Sequence, residues 1–187
     1  MKSGWVCALV AAGMLPSCKA TPTGPYSPPA ENARSTVEAE RLNREAAELI
    51  QKEPERAEEL LRRALTADLF FGPAHNNLGV LHLERGNLYE AAHEFEWARK
   101  LLPGHPDPRV NLALALERAG RTGEAFAAYQ AALEVAPEYL PALQGAARLC
   151  IRERRDEERL PQWLAMIASG SDPKWADWAR TQLSKER

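Results

Sequence analysis

Few side chains in this 187-residue chain could do chemistry, and their spacing works against it. The histidines are His75, His82, His93 and His105. His75 and His82 lie two helical turns apart, roughly 10–11 Å of rise, which is too far to share one metal ion. The chain has no His pair at the i, i+4 spacing of a helical zinc site, no glycine-rich phosphate loop, no G-x-S-x-G turn and no Cys/His nucleophile pair. Of the three cysteines, Cys7 lies in an apolar N-terminal run and Cys18 just after it. That leaves Cys150 alone in the body of the chain, so no disulfide framework is expected. Cys150 falls where a helix should face the core, and a small buried hydrophobe is the expected role. The charged runs at 53–63 and 152–159 mix Glu with Arg at helical spacing and read as solvated faces. Arg148 and Arg152 stand i, i+4 on one face and should repel mildly unless an acidic partner, or Glu117, expected to be exposed, and Glu153 nearby, compensates. The residues therefore predict neither a metal nor a cofactor, and binding in place of catalysis.

The elements that must position these groups follow from a period of 34 residues. Asn77-Leu78-Gly79, Asn111-Leu112-Ala113 and Gly145-Ala146-Ala147 fall in register. So do Gly86 and Gly120; Ala57, Ala91 and Ala125; Leu61, Phe95 and Tyr129; and Pro103 and Pro137. Self-similarity at this period marks a solenoid of helix pairs, in which no pair can bury its apolar face alone. The patterning predicts an all-α chain of nine helices, at about 36–51, 54–67, 73–85, 88–101, 107–119, 122–135, 140–153, 158–169 and 173–185. Asp172-Pro173 supplies an N-cap and a first-turn proline for the last of these, with Trp175, Trp178, Ala179 and Leu183 on one side. A formal charge of −2 and a pI near 6.1 argue against a nucleic-acid partner.

The repeat resembles the tetratricopeptide repeat family. The segments 72–105 (GPAHNNLGVLHLERGNLYEAAHEFEWARKLLPGH) and 106–139 (PDPRVNLALALERAGRTGEAFAAYQAALEVAPEY) carry its N-L-G/A step, its turn glycine and its Glu-Ala pair. An aromatic four residues after that Ala and a closing proline complete the pattern. The resemblance implies a right-handed superhelical solenoid of about four helix pairs (38–71, 72–105, 106–139 and 140–170) with a capping helix at 173–185. In this family the first helix of each pair lines a concave groove that holds a peptide. The matching positions are Asn76, Asn77 and Val80; then Val110, Asn111 and Leu114; then Gln144, Arg148 and Arg152. Asparagine can bond the backbone of an extended peptide, and the arginines favour acidic groups. Asn77 and Asn111 read equally well as residues that follow the family pattern and stabilise the helix pair. The carboxylate clamp of the chaperone-binding members is absent, because its slots hold Pro73, Asn76, Val80, Asp107 and Gly145.

The N-terminus differs from this body. Lys2 precedes an apolar run from Trp5 to Leu15, too short to span a bilayer and suited to a secretory signal. Its end, Leu15-Pro16-Ser17-Cys18, resembles the lipobox of bacterial lipoproteins, with Pro16 departing from the small residue usual there. That resemblance implies a signal peptide over 1–17 and a lipidated Cys18. A proline-rich tether over 18–35 would then hold the repeat domain (36–187) off the membrane. Lys19 after the cysteine implies the periplasmic side of the outer membrane, with a secreted or periplasmic protein as the alternative. The expected function is a non-catalytic adaptor for a segment of another envelope protein. The alternative is a self-associating protein that acts through its convex face or last helix.

Overall fold

A computed structural model describes residues 34–155 and 157–185. The expected signal segment 1–17, Cys18 and the tether up to residue 33 lie outside the described residues. Among the described residues the chain folds into nine helices: α1 (Thr36–Leu49), α2 (Pro54–Ala67), α3 (Gly72–Glu84), α4 (Leu88–Leu101), α5 (Asp107–Arg118), α6 (Thr122–Val135), α7 (Leu140–Glu153), α8 (Leu160–Ala168) and α9 (Pro173–Lys185). The seventh to ninth follow the expected order, but α8 starts two residues later than its pattern suggests. Glu157 turns the chain there, with its carbonyl accepting from Leu160 N–H and its carboxylate from the Arg159 backbone.

Proline opens or enters the first turn of α2, α3, α5, α7, α8 and α9, where its missing N–H has no helical partner to lose. The pairs α3/α4 and α5/α6 reverse at Gly86 (φ +79°) and Gly120 (φ +77°). The pair α7/α8 reverses at the same repeat position without a glycine: Arg154 takes φ +53° itself. Three of the pairs thus share a left-handed turn, the last through a residue that pays roughly 1–2 kcal/mol to adopt it, while α1/α2 reverses without a positive φ.

Packing follows the repeat. The first helices α1, α3, α5 and α7 lie side by side, and each second helix packs on its own partner and on the first helix of the next pair. Ala57, Ala91 and Ala125 are fully buried where α2, α4 and α6 meet their neighbours, and no larger side chain has room there. The aromatic position packs on small residues: the Phe95 ring covers Gly79 within its own pair, and the Tyr129 ring covers Gly145 of the next. One buried cluster joins α1, α2 and α3, and a second runs from Leu83 through α9. Ala176 and Ala179 seat α9 against α8, and Trp175 meets Trp178 edge-on at 5.2 Å. Cys150 is fully buried, and burial pushes its thiol up to about 11, so it acts as a core side chain.

Buried polar groups pin the N-terminal end. Asp68 accepts from Arg34 at 2.7 Å and from the Thr36 hydroxyl at 2.8 Å, and Ser35 N–H donates to Ala67 O at 2.9 Å. Burial alone would raise the Asp68 carboxyl; these bonds outweigh it and hold it below the usual carboxylate range. His75 is buried between Glu94, 2.7 Å from Nδ1, and Leu69 O, 2.9 Å from Nε2, with Trp97 stacked on its ring at 5.6 Å. Among the described residues no group of three or more His, Cys, Asp and Glu could hold a metal ion.

Candidate functional site: the inner face of the helix pairs

Because the first helices touch one another while α2, α4 and α6 are splayed apart, the stack curves with α1, α3, α5 and α7 on its inner side. The inner side carries the residues singled out from the sequence, and the structure sorts them into two groups.

The first group is a row of amides. Asn77 of α3 donates from Nδ2 to Oδ1 of Asn43 in α1 at 2.8 Å, and Asn111 of α5 donates to Oδ1 of Asn76 at 3.0 Å. The two bonds stitch three successive first helices together. Asn77 and Asn111 therefore brace the helix pairs, each while staying only half-buried. An amide has two N–H donors and an acceptor with two lone pairs, so one bond leaves capacity toward the groove. Val80 lies beside this row, half-buried and packed against the main core.

The second group gathers where α5, α7 and α9 converge. Val110, Leu114, Gln144 and Arg148 line a cavity of about 190 Å³. Tyr129, Pro141, Gly145 and Trp175 complete its lining. Val110 is itself buried, at 6% exposure. The sequence places Trp175 on one face of a capping helix. Asp172-Pro173 fixes where α9 starts, and α9 packs on α8, but nothing local reports that the Trp175 side chain reaches this cavity.

The basic end is less basic than its sequence. Glu117 is not an exposed bystander: its side chain is 10% exposed and accepts from Arg148 at 2.9 Å and Arg152 at 2.8 Å. It also accepts from the Tyr129 hydroxyl at 3.2 Å. Burial, and then the Glu117 charge, hold that hydroxyl protonated well above the usual tyrosine range. Glu153 takes a further bond from Arg152 at 3.1 Å. The i, i+4 arginines thus have their counter-ions within the fold, from a helix 31 and 35 residues earlier. Arg148 remains 44% exposed and Arg152 47%, so part of each guanidinium faces the groove.

A family model described as the tetratricopeptide repeat matches residues 47–95 and 76–141. The chain belongs to the tetratricopeptide repeat family. Its repeats build protein-interaction modules, and the nine helices form the all-α solenoid of that fold. Solved structures agree on the architecture. The first such domain of Spaghetti, bound to an HSP90 peptide, superposes with a TM-score of 0.61 at 14% identity, covering 65% of this chain and 98% of that one. MamA from Desulfovibrio magneticus gives a TM-score of 0.58 at 17% identity over 77% of each chain. An O-GlcNAc transferase mutant of Thermobaculum terrenum gives 0.62 at 24% identity, covering 76% of this chain but only 26% of the transferase. At these identities the likeness is one of fold. No curated protein matches the chain by sequence.

Proposed function

We propose that this chain is a non-catalytic adaptor of the bacterial cell envelope, held to a membrane by lipid on Cys18, that presents its tetratricopeptide groove to a segment of another envelope protein. The observation that carries the binding half is the inner face itself. A half-exposed amide row, Asn43 to Asn111, runs into a side-chain-sized cavity flanked by Arg148. Backbone-bonding amides beside one apolar hole are what an extended segment requires. The Spaghetti domain was solved with a peptide bound, and the same use is proposed for this groove. The membrane half rests on Leu15 to Lys19 and the proline-rich stretch after it. Two or more acyl chains, unlike one, anchor stably. The periplasmic side of the outer membrane is the proposed address, and complexes that assemble barrels, pili, secretion channels or cell wall are the proposed setting.

Two measurements test this. Cys18→Ser should free the protein from membranes or leave an uncleaved precursor; unchanged partitioning and mass would remove the anchor from the proposal. A photo-crosslinking residue in place of Gln144 should capture a partner that the same residue in place of Ala127, on the outer side, does not. The reverse pattern would move binding to the convex face. That face supports a second reading, self-association: cavities of about 300 and 260 Å³ adjoin between α4, α5 and α6, sharing Glu96, Leu112, Leu116 and Glu124, and Tyr89, which lines the smaller, is 81% exposed. A solution mass of twice the monomer would favour it.

A further inference from the structure

The cavity at the α5–α7–α9 junction has a composition specific enough to name its occupant. Its volume, about 190 Å³, exceeds the roughly 150 Å³ of an engineered protein cavity that binds benzene, so one ring or branched aliphatic side chain fits. Its walls are apolar on the α5 side, where Val110 and Leu114 stand, and aromatic on the α9 side, where Trp175 stands. Trp175 is held at that spot by its edge-on contact with Trp178 and by the buried Ala176 beside it. A ring entering the cavity would meet the Trp175 indole, and aromatic pairs gain beyond the area they bury.

On the polar side stand Gln144 and Arg148, with Glu117, the counter-ion of Arg148, just outside the lining. Arg148 spends one terminal nitrogen on Glu117 and is still 44% exposed. Its fork has five N–H donors, so a second carboxylate can join from the groove without displacing Glu117. Gln144 sits one helical turn before Arg148, where its amide can bond the backbone of whatever passes between them.

We infer that this junction is a binding subsite for an extended, acidic partner segment that places an aromatic side chain in the cavity and a neighbouring Asp or Glu on Arg148. Trp175 then determines specificity, and the capping helix α9 belongs to the binding site as well as to the cap. The inference rests on the groove being the binding face, as proposed above, and adds which part of the groove reads which side chains.

The test is a selection from a phage-displayed library of random peptides on the immobilised repeat domain. The winning peptide is then resynthesised with a fluorophore and titrated by anisotropy. The expected consensus is an aromatic residue with Asp or Glu one or two places away. Trp175→Ala, and independently Gln144→Phe, which occludes the cavity from a half-buried position without opening the core, should each weaken that peptide about tenfold or more. Arg148→Gln should weaken it about tenfold and erase the preference for the acid over its amide, with the far-ultraviolet spectrum of each variant unchanged. Selected peptides that need Asn76 or Asn111 but ignore Gln144→Phe and Arg148→Gln would overturn this subsite and leave the groove as the binding face. Peptides indifferent to every inner-face substitution, or no selected peptide at all, would overturn both.

Discussion

Glu117→Gln isolates the one carboxylate on which the inner face converges. The change keeps the side chain's shape and removes its charge. A glutamine has a single carbonyl oxygen for two guanidinium groups and the Tyr129 hydroxyl, and its NH₂ would point at one of the arginines. Each charge-assisted bond contributes about 1.5–3 kcal/mol when dry. Arg148 and Arg152 are 44% and 47% exposed and can turn to water, which discounts that figure. Glu117, at 10% exposure, cannot. One bond lost, one weakened and Arg148 left without a counter-ion, while Arg152 keeps Glu153, together give about 1.5–2.5 kcal/mol. For a domain of this size that is a fall in Tm of roughly 3–10 °C. Thermal unfolding followed by circular dichroism measures it. The control is Glu124→Gln: Glu124 is 61% exposed and pairs with Arg121 in solvent, so its midpoint should match wild type. In a background already carrying Arg148→Gln and Arg152→Gln, Glu117→Gln should lose most of its effect. Equal shifts for Glu117→Gln and Glu124→Gln, or full additivity in that cycle, would refute the account of Glu117 as the shared counter-ion.

Gly145→Ala should destabilise by about 1–3 kcal/mol, because its new Cβ would stand 2.8 Å from the Tyr129 hydroxyl oxygen and nearer still to the ring. Gly104→Ala, whose Cβ meets nothing within 4 Å, should leave urea unfolding unchanged. Arg154→Gly should stabilise by roughly 0.5–1 kcal/mol, since it relieves the φ +53° turn at the end of α7; a loss of stability would place some other role on Arg154. Cys150 predicts alkaline sensitivity. Its folded-state thiol is raised, so the stability it allows is intact below about 9 and lost as pH rises from there through about 11, by up to roughly 1.4 kcal/mol per pH unit. Cys150→Ala should flatten that part of the pH–stability curve, and iodoacetamide should label native Cys150 only after unfolding.

Local physics made most of the architecture legible in the chain. A 34-residue period can be read without coordinates because each unit repeats the same problem of burying Ala57, Ala91 and Ala125 and turning at Gly86 and Gly120. Helix starts were equally local, since Pro54, Pro141 and Pro173 mark first turns by chemistry that acts within a few residues. The inner-face positions were legible as a set, because residues on one side of a helix recur at known spacing. Their partners were not. Glu117 meets Arg148 and Arg152 across 31 and 35 residues, His75 meets Glu94 across 19, and Trp175 reaches Val110 and Leu114 from the far end of the domain. Such meetings depend on how far one helix is shifted and rotated against the next, and that is settled by how Tyr129 fills the gap over Gly145 and how Ala176 seats α9. A change of one rotamer or a few ångströms would pair the same charges differently without altering any helix. The sequence by itself therefore determined the helices, their pairing and the face they present; only the tertiary packing decided which side chains on that face neutralise, brace or leave open one another.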